Sequence, residues 1–176
     1  DKQFWLWSFD DFANIDLPTM IDYVLKQTNR SQIDTYVGHS QGTAIGFACF
    51  SSKDCGGDVP LSSKVKLFVA LAPVTYVGHV QSRLLNILAD LHIDELLVYL
   101  GFNDFLPSTK WLQRWEPDIC SNTIIGRPLC AHVYCMFAGC DTLLDNVNQT
   151  RIATYFSHLP AGTSVINIAH WAQEVR

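Results

Sequence analysis

The 176-residue sequence predicts a mixed α/β chain, with parallel strands and a helical crossover in its first part and a helical region in its second. Three observations carry this expectation. Residues 33–37 (IDTYV) and 65–72 (VKLFVALA) are short β-branched and apolar runs, of the kind buried in parallel sheets. Leu17, Met20, Ile21, Val24 and Leu25 recur at i, i+3, i+4, i+7 and i+8, one face of an amphipathic helix. After Pro73 the alternation stops, and leucine-rich helical patterns take over, punctuated by Gly101, Pro107, Pro117, Gly126 and Pro128.

Taken in order, the first helix has Asp16 as its expected N-cap and Pro18 in its first turn. The strand at 33–37 leads into Gly38-His39-Ser40-Gln41-Gly42, a G-x-S-x-G pattern. Residues 43–50 (TAIGFACF) follow, small and apolar, as a helix packed closely behind a sharp turn would need to be. A strand, this pattern and a helix together describe a nucleophile elbow, in which a strained turn lifts a serine hydroxyl out of the sheet. The flanking glycines are expected because side chains at either position would collide with the neighbouring strand or helix. The helix N-terminus would favour negative charge developing at Ser40.

Beyond residue 73, Leu84, Leu85, Leu88 and Leu91, then Leu96, Leu97 and Leu100, then Trp111 and Trp115 suggest short amphipathic helices. A last helix over 164–175 places Val165, Ile168, Ala169, Ala172 and Val175 on one face. Each leucine or tryptophan reads first as core of a helical subdomain. Collectively they could roof a site and receive an acyl chain. The boundary falls at residues 1–75 for the sheet-bearing part and 76–176 for the helical part.

Composition narrows the function classes. Twelve Lys and Arg against 17 Asp and Glu give a formal charge of −5 with no basic stripe, which argues against nucleic acid as a partner. No apolar stretch is long enough for a transmembrane span. The sequence starts Asp1-Lys2-Gln3, without a start methionine or signal peptide, as expected of a mature form or a fragment. Six cysteines match no zinc template, and no histidine or carboxylate cluster calls for a metal or other cofactor. Cys120 and Cys130 bracket a loop containing Gly126 and Pro128, where a local bridge is reasonable; the pairing of the six is otherwise open. Asn29-Arg30-Ser31 and Asn148-Gln149-Thr150 are glycosylation sequons. Sequons and clustered cysteines together lean towards the secretory pathway.

A serine hydroxyl needs a histidine to accept its proton and an acid to orient that histidine. On such a fold the partners follow the serine, acid before histidine. Asp141 with His158 or His170 is available in that order, and residues 132–141 mimic a strand ending at an acidic loop. Against this set, no helix-alternating strands follow residue 72 to carry an acid and a base back to the elbow. Helix capping and satisfied half-buried polar groups are the favoured readings of these residues. His39 reads as a wall residue of the elbow.

Several stretches resemble the acid lipase family of α/β-hydrolases, which includes gastric and lysosomal acid lipases. They are Phe4-Trp5-Leu6-Trp7-Ser8-Phe9-Asp10, Asp16-Leu17-Pro18, Tyr36-Val37-Gly38-His39-Ser40-Gln41-Gly42 and Ala70-Leu71-Ala72-Pro73-Val74. Ser157-His158-Leu159-Pro160-Ala161-Gly162-Thr163-Ser164-Val165 and His170-Trp171 complete the set. The resemblance implies part of an α/β-hydrolase fold followed by a helical cap, or lid. It makes Ser40 the nucleophile, with the backbone N–H of Gln41 as one oxyanion donor. It implies a lipid ester substrate, triacylglycerol or cholesteryl ester, met at a lipid–water interface, and no cofactor. It implies a secreted or lysosomal protein, a Cys120–Cys130 disulfide and a glycosylated Asn148 in the cap. It also places Asp141, His158 and His170 in the cap, so that the triad acid and histidine lie beyond Arg176 and the chain is an internal fragment. The rival expectations are a noncatalytic lipid-binding or scaffold protein with a relict elbow, or a different serine hydrolase such as a thioesterase or peptidase.

Overall fold

The computed structural model describes residues 2–79, 90–107, 115, 118–122, 124–138 and 147–175. The expectations on Leu84, Leu85, Leu88, Trp111 and Asp141 fall outside them. The chain divides into two units, Trp7–Val77 and Asp1–Leu6 with Gly78–Arg176.

The Trp7–Val77 unit opens with a capping box. The Oγ of Ser8 accepts from the Asp10 N–H at 3.3 Å, and Oδ2 of Asp11 accepts from the Ser8 N–H at 2.8 Å. A helix therefore begins at α1 (Phe9–Asp11), passes through a π-helical turn (Phe12–Asp16) and continues as α2 (Leu17–Thr28). This corrects the expected N-cap: Asp16 is already helical, at φ −70° and ψ −50°, and its side chain makes no capping bond. In the wide turn the Leu17 N–H reaches back to the Phe12 carbonyl. That widening lets the helix pass Pro18, which has no N–H to donate and whose ring crowds the preceding turn. The buried stripe of α2 is Leu17, Ile21 and Leu25; Met20 and Val24, expected on the same face, are exposed.

Strand β1 (Ile33–His39) runs two residues further than its sequence signal and pairs in parallel with β2 (Val65–Leu71). Tyr36 lies opposite Phe68, Gly38 opposite Ala70 and His39 opposite Leu71. Between the strands comes α3 (Gln41–Ser51). The rings of Tyr36, Phe47, Phe50 and Phe68 meet edge-on or tilted at centroid distances of 5.0 to 5.4 Å. Gly46 permits this approach, because a Cβ there would lie 2.7 Å from Phe68 Cζ. The core joins Ala13, Leu17, Ile21, Leu25, Cys49, Cys55 and Leu61 to Ile33, Tyr36, Ile45, Phe50 and Val65. Among the residues that alternate with Tyr36 and Phe68, Thr35, Val37, His39, Leu67 and Leu71 are exposed, whereas Ile33, Val65 and Val69 are half-buried, so the strands are not buried along both sides as expected. A Cys49–Cys55 disulfide ties the end of α3 to the loop that returns to β2, a pairing the sequence left open. On the surface Asp34 accepts from Lys66 Nζ at 2.7 Å and Arg30 Nη1 at 3.1 Å. Lys66 first, then Arg30, holds the Asp34 carboxyl below its usual range.

In the second unit the described elements are α4 (Ile93–Tyr99), β3 (Asp104–Phe105), α5 (Gly126–Ala138), α6 (Ile152–Phe156), β4 (Thr163–Ser164) and α7 (Val165–Val175). β3 and β4 form a two-residue antiparallel pair. Cys120 and Cys130 are bridged, in line with the resemblance. Cys135 is also disulfide-bonded. Residues 132–138 are helical, which corrects the strand-like reading of that run. The cause lies upstream. Asn122 Oδ1 accepts from the Ile124 and Ile125 N–H groups, and the Asn122 carbonyl accepts from Arg127 N–H, turning the chain into a helix. Pro128 fits its first turn and the disulfide anchors it. The local core is Cys120, Cys130, Ala131 and Ile152. Leu91, Leu96, Leu100 and Trp115 are exposed and form no part of it. Helix α7 buries Val165 and Ala172 as expected, and Asn167 besides. Among the described residues no helix is long and apolar enough to cross a membrane.

Candidate active site

The site is built from the junction of β1 and α3. Ser40 sits between them at φ 52° and ψ −121°, a conformation that a residue with a Cβ adopts only under constraint, and its side chain is exposed. The constraint is a set of hydrogen bonds. The Ser40 N–H donates to the Leu71 carbonyl at 3.1 Å, extending the ladder one step past the strand. The Ser40 carbonyl accepts from the Thr43 N–H at 2.8 Å and from Thr43 Oγ1 at 2.6 Å. Thr43 Oγ1 in turn accepts from the Val74 N–H at 3.0 Å. Thr43 is fully buried, so its hydroxyl locks the bend to the segment after β2 with no competing water.

The two glycines differ in what they permit. A Cβ on Gly38 would lie 2.6 Å from the Gly42 carbonyl oxygen, a backbone atom that cannot step aside. A Cβ on Gly42 would meet nothing closer than Tyr36 Oη at 3.7 Å, an ordinary contact. The expectation that a side chain would collide at both positions holds only for Gly38. Tyr36 Oη donates to the Gly42 carbonyl at 2.8 Å, and burial pushes its phenol above the ordinary pKa.

Gln41 is the first residue of α3, so its N–H lies at the positive end of that helix. His39 ends β1 with an exposed side chain and is the only histidine of the Trp7–Val77 unit. His158, exposed just past α6, and His170, half-buried in α7, belong to the other unit. Asp141 falls outside the described residues. Among the described residues no group of three or more His, Cys, Asp or Glu side chains could hold a metal ion. The arrangement thus offers an exposed hydroxyl on a sharp bend beside a helix N-terminus, suited to attack on a carbonyl carbon and to holding the resulting oxyanion.

The chain matches no family model. Individual proteins match it along nearly its whole length. Human lipase member J is 39% identical over 98% of the chain, and rat gastric triacylglycerol lipase is 40% identical over 99%. The lysosomal acid lipase/cholesteryl ester hydrolase of Macaca fascicularis is 38% identical over 99%. The sequence resembles the acid lipases along nearly its whole length. The chain spans 41% to 44% of the length of these curated relatives.

The geometry gives some of the acid-lipase stretches a physical task. Tyr36 through Gly42 is the strand and bend itself. Within Ala70-Leu71-Ala72-Pro73-Val74, Leu71 supplies the carbonyl and Val74 the N–H that pin the bend from the next strand. Ser8 and Asp11 close the capping box at the start of the long helix. Thr43 is the positioning residue that sequence reasoning missed. Its only signal was a hydroxyl at the start of an otherwise apolar helix, and its partner Val74 is 31 residues away.

Proposed function

We propose that this chain carries the nucleophile of a serine ester hydrolase acting on lipid esters, triacylglycerol or cholesteryl ester, through an acyl-enzyme on Ser40. The observation that carries the reading is the left-handed backbone of Ser40 between a parallel strand and a helix, with its side chain exposed. The Ser40 hydroxyl attacks the ester carbonyl. The Gln41 N–H, at the α3 N-terminus, stabilises the oxyanion of the tetrahedral intermediate. Collapse releases the alcohol, and water then frees the fatty acid. Residues 1–75 act as part of an α/β-hydrolase core, and residues 76–176 act as a helical cap region. The reading assigns the triad acid and histidine to sequence outside these 176 residues. Support comes from the lack of any histidine but His39 in the unit that holds Ser40. The disulfides and the names of the relatives support a secreted or lysosomal protein. The reading also takes Asn148, in an Asn-X-Thr triplet, as glycosylated.

Fluorophosphonate labelling of the full-length protein bearing this sequence tests the nucleophile. Ser40→Ala is expected to abolish labelling, and labelling that persists places the nucleophile elsewhere. The isolated 176-residue chain is expected to be nearly inactive, since loss of a triad partner removes several orders of magnitude in rate. Hydrolysis of a short-chain ester by the isolated chain, lost on Ser40→Ala, would show that the base and acid lie within it. Retention of lipid binding with no labelling of the full-length protein would favour a noncatalytic lipid binder.

A further inference from the structure

The turn between α2 and β1 holds a chemically addressable group that the hydrolase reading does not use. Lys26 through Gln32, the last residues of α2 and the turn that follows, are exposed without interruption. Asn29 stands at its centre in the left-handed conformation, φ 51° and ψ 44°, where its N–H closes the helix onto the Leu25 and Lys26 carbonyls. Its backbone is therefore fixed while the residue stays exposed. No hydrogen bond among the described residues engages the Asn29 carboxamide. The neighbouring side chains are committed elsewhere: Thr28 Oγ1 donates back to the Val24 carbonyl, and Arg30 pairs with Asp34. Ser31 supplies the hydroxyl two residues on that completes an Asn-X-Ser acceptor, with Arg30 rather than proline between.

The other sequon is folded differently. Asn148 uses its Oδ1 to accept from both the N–H and the Oγ1 of Thr150, so its carboxamide is engaged by its own acceptor triplet. Both residues are exposed, and of the two carboxamides only that of Asn148 is tied up by its own triplet.

We propose that Asn29 is an N-glycosylation site, a modification that would cover the end of the Trp7–Val77 unit away from Ser40. In the transfer, the Asn29 Nδ2 forms a bond to the anomeric carbon of a lipid-linked oligosaccharide diphosphate. The bond from that carbon to the diphosphate breaks, the lipid diphosphate leaves, and one amide proton passes to the transferase. Oxidised Cys49–Cys55 and Cys120–Cys130 place the chain in a compartment where such donors are used. Placement favours tolerance. The strand runs seven residues from Ile33 to His39 before the bend, roughly 20 Å of separation, so a glycan on Asn29 leaves the serine open.

The test is expression of the full-length protein, with Asn148→Gln as background, in a eukaryotic secretory host. Amidase release of N-glycans should convert Asn29 to aspartate in the chymotryptic peptide 26–36, read by mass spectrometry. Asn29→Gln and Ser31→Ala should each lose one glycan's worth of gel shift, and Ser31→Thr should keep it. A secreted protein whose 26–36 peptide is wholly unmodified overturns the proposal, as does a gel mobility that Asn29→Gln leaves unchanged. Neither result touches Ser40 labelling, so failure here and failure of the hydrolase reading are separable.

Discussion

The two units stabilise irregular backbone by different means. Around Ser40, a single strained bend is held by polar contacts, with Leu71 and Val74 each contributing one backbone group, Thr43 its N–H and its hydroxyl, and Gly38 allowing the close approach. Around Cys120, an irregular approach to α5 is held covalently and by one asparagine, which takes two N–H groups on its side chain and one on its carbonyl. The first device fixes one residue to a narrow geometry. The second fixes only the ends of a loop. A bend meant to present one hydroxyl benefits from the first kind, since hydrogen bonds constrain direction whereas a disulfide chiefly limits distance.

The comparison breaks most readily at Gly38. Gly38→Ala is expected to destabilise the Trp7–Val77 unit by ~3 kcal/mol, because the clash is with backbone, while Gly42→Ala should be nearly neutral. Denaturant midpoints of the two variants check this, and equal losses would show that the bend is not packed as described. Replacing Cys120 and Cys130 by serine should cost about 2–4 kcal/mol. Amide exchange should localise that loss to residues 118–156, with β1 and β2 still protected. Thr43→Val keeps the shape and removes the hydroxyl, leaving the Val74 N–H without its acceptor, for ~1–3 kcal/mol. Its loss of protection should centre on residues 40–43 and 71–74 and leave α5 unchanged.

The smallest effect concerns pH. Burial raises the folded pKa of Tyr36 above its ordinary 10, so the stability it contributes is complete below that pH and is lost as pH rises through the folded value. Tyr36→Phe should lose ~1 kcal/mol at neutral pH and flatten the decline above pH 10. A wild-type midpoint that does not fall in alkali would contradict the burial of this phenol.

Legibility in the sequence followed the range of the interactions. The strand, the bend and α3 were readable because their signals lie within some 20 consecutive residues, from Ile33 to Ser51. The start of the long helix was misread because Pro18 mimics a first-turn proline, and a π-helical turn has no composition of its own. The run at 132–138 reads as a strand by residue type, yet a turn and a disulfide before it commit it to helix. Thr43's role and the Cys49–Cys55 pairing depend on what the fold brings together, and neither had a local signature. The burial pattern of α2 was half legible: periodicity gave the correct face, and the exposure of Met20 and Val24 narrowed it.

The positive φ of Ser40 has a thermodynamic consequence. Glycine would occupy that position without steric penalty, so the serine is retained at the expense of folding free energy, by about 1 kcal/mol or more. Ser40→Gly should accordingly melt at a higher temperature than Ser40→Ala, although both lack the hydroxyl. A protein that forgoes stability at one position in favour of a reactive oxygen displays a compromise that a calorimeter can measure without any substrate.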